Sequence, residues 1–203
     1  GIEVLGPDIN LSVADFKVET SNDGKASVRY ALAAIKNVGE SAMCSLVEER
    51  NINGPFSDVA NFAQRVDSKV INKRLMESLV KAGAFDSIEP NRRCLYESIE
   101  LILRHSNAAS QDRKSNQIGL FDTESSPMRS LTLPSCLDWS STIRMKEEFD
   151  SIGFYLSGHP LDFYKKNLVR LKARLSADIV KEGLSGPVIM AGTVISKVER
   201  TSS

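Results

Sequence analysis

Between residues 56 and 102 the apolar side chains recur every three or four positions, and glycines interrupt the pattern at short intervals. Phe56, Val59, Phe62 and Val66 form one stripe, Ile71, Leu75, Leu79 and Ala82 a second, and Leu95, Ile99 and Ile102 a third. That spacing puts each set on one face of an α-helix. Gly39, Gly54 and Gly83 then mark the turns between elements. The pattern predicts short helices packed through these stripes, and it excludes a sheet-dominated fold over this region.

The flanks differ. In residues 1–30, DFKVE and SVRYAL stand on either side of SNDGK, where Asn, Asp and Gly accept the backbone of a tight turn. A β-hairpin is predicted there. Residues 31–109 form the helical region. Residues 110–135 have no periodicity, consist mostly of Ser, Asp, Asn, Gln, Lys and Pro, and are predicted to be a flexible linker. Order resumes over 136–186: Met145, Phe149, Ile152 and Leu156 share a helical stripe, with Gly158 and Pro160 as its stop. Leu161, Tyr164, Leu168 and Leu171 follow as another. Residues 187–203 carry PVIMAGTVISKV, an apolar, β-branched run that reads as a buried strand. A lone strand needs neighbours, so a truncated β domain is expected here. The fold class is therefore mainly α, with an N-terminal β-hairpin and a truncated C-terminal strand.

Composition narrows the chemistry. The 203 residues carry 26 basic and 26 acidic side chains, so any nucleic-acid contact must come from local clusters. Three scattered cysteines, Cys44, Cys94 and Cys136, make no CxxC pair and suit a reducing compartment. No apolar run reaches the ~20 residues that span a bilayer. The chain begins at Gly1 and is expected to be a piece of something longer.

Several segments are candidates for function. AAIKNVGESAMCSLV has the form of a helix-hairpin-helix: a helix end, the turn Lys36-Asn37-Val38-Gly39, and a second helix entered through Glu40 and Ser41. Gly39 lets a phosphate approach the backbone, the N–H groups of the following helix face it, and Lys36 adds charge. Such contacts ignore base sequence. Asn37 takes the place of the first of two glycines, and asparagine accepts left-handed geometry better than most residues. A plain αα-turn with a glycine cap is the alternative. LVKAGAFDSI is a more degenerate copy, with Gly83 in the first glycine position and Phe85 in the other. Lys73, Arg74 and Lys81 supply positive charge nearby.

His159 in SGHPLD has no Cys, His or carboxylate partners at ligand spacing and is read as part of a helix-terminating turn. Glu147 and Glu148 point to different sides of a helix, so they form no carboxylate pair. No catalytic constellation emerges. In QIGLF, the adjacent Leu120 and Phe121 stand in polar surroundings. Either they fold onto the protein's own core or they enter a partner's pocket, with Gln117 as polar anchor. Burying the two contributes about 1.5–3 kcal/mol each, less the ordering of the segment, which fits micromolar affinity.

Taken in order, GIEVLGPDIN, AIKNVGE, VINKRLMESLVKAGAFDS, QIGLFD and GFYLSGHPLD resemble the α subunit family of bacterial DNA polymerase III over essentially the whole chain. The resemblance runs from late in the fingers into the start of the OB domain. It implies that Gln117, Ile118, Leu120 and Phe121 belong to the internal sliding-clamp-binding motif. It also implies that the hairpin at Lys36–Ser41 is the duplex-binding element. The family's catalytic carboxylates and Mg2+ belong to a palm domain upstream of Gly1, so this piece is expected to be non-catalytic and to hold no cofactor of its own. The implied partners are the sliding clamp (β subunit), primer-template duplex and other replisome subunits, in a bacterial cytoplasm, with no membrane. Two other readings stay open at this point. One is a general helix-hairpin-helix module of a repair protein; the other is an enzyme centred on His159.

Overall fold

The computed structural model describes residues 2–21, 23–115, 131–194 and 197–200. They fall into two units, 1–157 and 158–203. The described residues are mainly helical, with eight α-helices and one small sheet. No helix among them is long and apolar enough to cross a membrane.

The first unit opens with β1 (Glu3–Leu5), β2 (Lys17–Thr20) and β3 (Ala26–Arg29), in the order β1-β3-β2. The expected hairpin is β2–β3, antiparallel, with Val18 opposite Val28. Its turn places Gly24 at φ +81°, a left-handed conformation. Arg29 grips Glu19 through two bonds of 3.0 and 2.8 Å and donates a third to Gly6 O at 3.0 Å. Hydrogen bonding to Arg29 holds the Glu19 carboxyl below its ordinary range. GIEVL adds a strand the sequence reading did not name: β1 pairs parallel to β3, Val4 opposite Val28.

Helices α1 (Glu40–Asn53), α2 (Val59–Arg65), α3 (Lys73–Lys81), α4 (Arg92–Glu97), α5 (Ile99–Ser115) and α6 (Ser141–Ile152) follow. The sequence supplies the caps. Asp58 accepts from Asn61 N at 2.8 Å, Asn72 from Leu75 N at 3.0 Å and Asn91 from Cys94 N at 2.9 Å, each satisfying a donor the helix leaves orphaned. All three predicted stripes of the helical region are buried and join one core. Phe62 is its centre, edge-on to Phe56 at 5.2 Å and to Phe85 at 5.0 Å.

A buried arginine ties the sheet end to the helices. Arg50, in the last turn of α1, donates to Ile9 O at 2.8 Å and Ser12 O at 2.9 Å. Ile9 is fully buried and donates to Ala84 O, so the N-terminal segment is held from two sides. Burial pulls the guanidinium of Arg50 down from its ordinary value, opposed by the charge of Asp8.

Three expectations need correction. Helix α5 continues to Ser115, past the linker boundary set at 110, because Ser106 and Ser110 lie buried on its inner face and Ser106 bonds Val66 O at 3.1 Å. At the linker's far end, Leu131 and Leu133 are half-buried against the core. Helix α6 stops at Gly153, left-handed at φ 101°, rather than at Gly158 and Pro160. The Glu148 carboxylate then takes the N–H groups of Leu156 and Ser157, both at 2.8 Å.

The second unit holds a 3-10 turn at Pro160–Tyr164, α7 (Lys165–Arg170) and α8 (Ser176–Glu182). The strand predicted within 187–203 is not formed among the described residues. Val188, Ile189, Met190 and Val194 are exposed there, and Ile189 O accepts a bond from Arg174 N at 2.9 Å. A β-prone run without a neighbouring strand has no ladder to complete and no layer to bury it.

Candidate nucleic-acid interface

The segment from Ile35 to Ser41 sorts its side chains by type. Ile35 and Val38 enter the core, whereas Lys36, Asn37, Gly39, Glu40 and Ser41 are exposed. The two apolar anchors fix the loop from beneath, and the polar residues between them are pushed outward. Asn37 bends the chain at φ +64°, the left-handed geometry that a glycine would take in an ideal hairpin. Its amide donates to Ser78 Oγ on α3 at 3.2 Å. Lys36 is held from α6: its backbone N–H donates to Ser151 O at 3.0 Å and its ammonium to Asp150 O at 2.7 Å. A neutral carbonyl satisfies one donor of the ammonium without cancelling its charge.

Gly39 is the N-cap of α1 and has an ordinary extended φ of −83°. No side chain caps the helix, and the first helical bond runs from Met43 N to Gly39 O at 3.2 Å. The N–H groups of Glu40, Ser41 and Ala42 thus precede the ladder. Space around Gly39 is open, with nothing within 4 Å of where a Cβ would stand. An anion can reach these donors, and the helix dipole favours it. Glu40 in the first turn is the opposing charge. It already complements the dipole, so an incoming phosphate needs that side chain to swing aside.

The second segment is arranged differently. Gly83 follows α3 at φ +83°, as a turn requires, but it is buried. The guanidinium of Arg92 lies across it, and a Cβ there would stand 2.1 Å from Nη2. Arg92 in turn bonds Asp86 at 2.8 and 2.7 Å and Lys81 O at 3.1 Å, with the buried Glu148 carboxylate 3.7 Å away. The guanidinium therefore covers the backbone at this glycine, which at Gly39 is open. Lys81 pairs with Glu147 at 2.8 Å and lies 5.2 Å from the ring centre of Tyr96. Burial lowers its pKa, but Glu147 more than offsets this and the net direction is up. Lys73 is exposed and pairs with Glu100 at 2.6 Å. Arg74 is exposed, with no ion pair recorded among the described residues.

The remaining candidates are placed as follows. Gln117, Ile118, Leu120 and Phe121 lie outside the described residues. His159 begins a helical turn rather than ending one: its Nδ1 accepts from Leu161 N at 3.1 Å while Asp162 accepts from His159 N at 2.8 Å, a reciprocal cap. Among the described residues, no group of His, Cys, Asp and Glu is placed to hold a metal. Sequence reading missed Ser78, Asp150 and Ser151, which hold the hairpin's shape. They are far away along the chain, and no local signal marks them.

A family model described as a helix-hairpin-helix motif matches residues 1–95. Among curated proteins, the DNA polymerase III subunit alpha of Caulobacter vibrioides is 39% identical over 204 residues, covering 100% of this chain and 17% of the relative. That of Neisseria meningitidis serogroup A is 41% identical, covering 83% of this chain and 14% of the relative. That of Thermus aquaticus is 35% identical, covering 98% and 16%. The chain therefore spans about a sixth of the length of the curated relatives it matches.

Proposed function

The chain belongs to the DNA polymerase III α-subunit family, and on that premise we propose that it grips and tethers rather than catalyses. It holds duplex DNA behind the growing end through the hairpin at Lys36–Ser41, without reading base sequence. It also carries, at Gln117–Phe121, the segment that links the polymerase to its sliding clamp.

One observation carries the first half: Asn37 adopts the left-handed bend of a phosphate-binding hairpin, and the uncapped N-terminus of α1 beside it is open to solvent. Both contacts use backbone N–H groups and one lysine, so affinity falls with salt and is indifferent to sequence. Lys73 and Arg74 at the start of α3 are secondary contributors. Gly83 and Lys81 serve the fold, since Arg92 and Glu147 already occupy them. The second half rests on the motif itself, a leading glutamine and an aliphatic–aromatic pair.

Two titrations test the proposal. In the first, a labelled duplex is titrated at several salt concentrations against the wild type and Lys36→Ala. The expected log–log slope is about −0.9 per neutralised phosphate, reduced by about one contact in the variant. An unchanged slope removes Lys36 from the interface. In the second, calorimetry against the sliding clamp is expected to show micromolar binding that vanishes in Gln117→Ala/Leu120→Ala/Phe121→Ala. Equal binding by both forms would reject the tether.

A further inference from the structure

The chain 134–138 runs along the first turn of α4 and is fastened to it at three points. Asn91 Nδ2 donates to Cys136 O at 2.7 Å, Arg93 N to an Asp138 carboxylate oxygen at 3.1 Å, and Cys94 Sγ to Pro134 O at 2.8 Å. The same bonds set Cys136 beside the turn of α4 that carries Cys94, whose thiol reaches the carbonyl two residues before Cys136. The two differ in exposure. Cys94 is buried at 6% and Cys136 is half-exposed. Arg93, on the same turn, pairs with Glu97 at 2.8 Å. Burial pushes the Cys94 thiol up, reinforced by the neighbouring Cys136, Glu89 and Glu97.

We propose that Cys94 and Cys136 are a peroxide-oxidisable pair, a modification site at which a reversible disulfide staples residues 134–138 to helix α4. Its greater exposure makes Cys136 the sulfur that meets the oxidant. Its thiolate attacks one oxygen of a hydroperoxide, the O–O bond breaks, and a sulfenic acid forms as the other oxygen leaves as water after protonation. The Cys94 sulfur then attacks the sulfenyl sulfur. The S–O bond breaks, the Cys94 proton goes to the departing hydroxyl, and a second water leaves as the S–S bond closes. Two thiols are oxidised and one peroxide is reduced to two waters. The cross-link closes a loop of about 40 residues, so it also restricts the unfolded chain.

The test oxidises the 203-residue chain with hydrogen peroxide under native conditions and titrates free thiols. Three thiols are expected to fall to one, with a mass loss of about 2 Da and a Cys94–Cys136 linked peptide on mapping. Dithiothreitol should restore all three. The Cys44→Ser chain should form the same cross-link, and Cys136→Ser should not. The oxidised form is expected to melt on the order of 10 °C higher. Retention of all three thiols, a stable gain of oxygen on Cys136 with Cys94 free, linkage through Cys44, or an unchanged or lowered Tm would each overturn the proposal.

Discussion

Replacing Gly83 with alanine puts a methyl group where Arg92 lies. The added Cβ would stand 2.1 Å from Nη2, 2.6 Å from Cζ and 3.1 Å from Nε, so the whole guanidinium is in the way rather than its tip. Ordinary contact requires it to retreat by more than about 1 Å. It is pinned on its other edges by Asp86, Lys81 O and the buried Glu148, so retreat breaks charge-assisted bonds worth about 1.5–3 kcal/mol each. The φ of +83° adds about 1–2 kcal/mol for any residue with a Cβ. The smaller entropy of an unfolded alanine returns about 0.4–1 kcal/mol. A net loss of about 3–5 kcal/mol is expected, a large share of a typical domain's stability. Urea unfolding of wild type and Gly83→Ala measures it directly. The change should shrink by more than about 1 kcal/mol in an Arg92→Ala background, where the methyl finds room. A loss below about 1 kcal/mol, or no coupling to Arg92, would refute the account of this turn as a site filled by an internal cation.

The first hairpin gives contrasting expectations. Gly39→Ala meets nothing within 4 Å and should change stability by only a few tenths of a kcal/mol, while lowering duplex affinity measured by anisotropy. Asn37→Val, forced to φ +64°, is expected to lose about 1–2 kcal/mol by urea unfolding, and Asn37→Gly, which keeps the bend but loses the bond to Ser78, about 0.5–1.5 kcal/mol. Asp58→Ala should cost about 1 kcal/mol as α2 loses its cap. Backbone hydrogen bonding from Asn61 lowers the Asp58 pKa, so the cap's contribution is present above the ordinary value of 3.8 and disappears as pH falls through the folded value. Unfolding of wild type and Asp58→Ala at pH 7 and at successively lower pH through the folded value checks this: the gap should narrow only below 3.8.

The helices were legible because their signal is local. Ile71, Leu75 and Leu79 repeat at helical spacing, and burying that stripe is what α3 does. Asn37 was legible for a similar reason, since its backbone preference is a property of the residue. Contacts made at a distance left no such mark. The parallel pairing of β1 with β3, the Arg92 guanidinium across Gly83 and the bonds that hold residues 134–138 to α4 all join residues that nothing in the intervening chain connects. The run PVIMAGTVISKV shows the opposite failure. Its strand propensity is strong, but a strand is completed by neighbours, and propensity alone does not supply them.

The two carbonyls held by Arg50 also join the N-terminal segment to the helix that follows the hairpin. That guanidinium ties the backbone at Ile9 and Ser12 to the last turn of α1, and the hairpin lies at the opposite end of the same helix. A helix is stiff along its axis over such a length, so the turn at its N-terminus and the segment around Ile9 are fixed to the two ends of one rod.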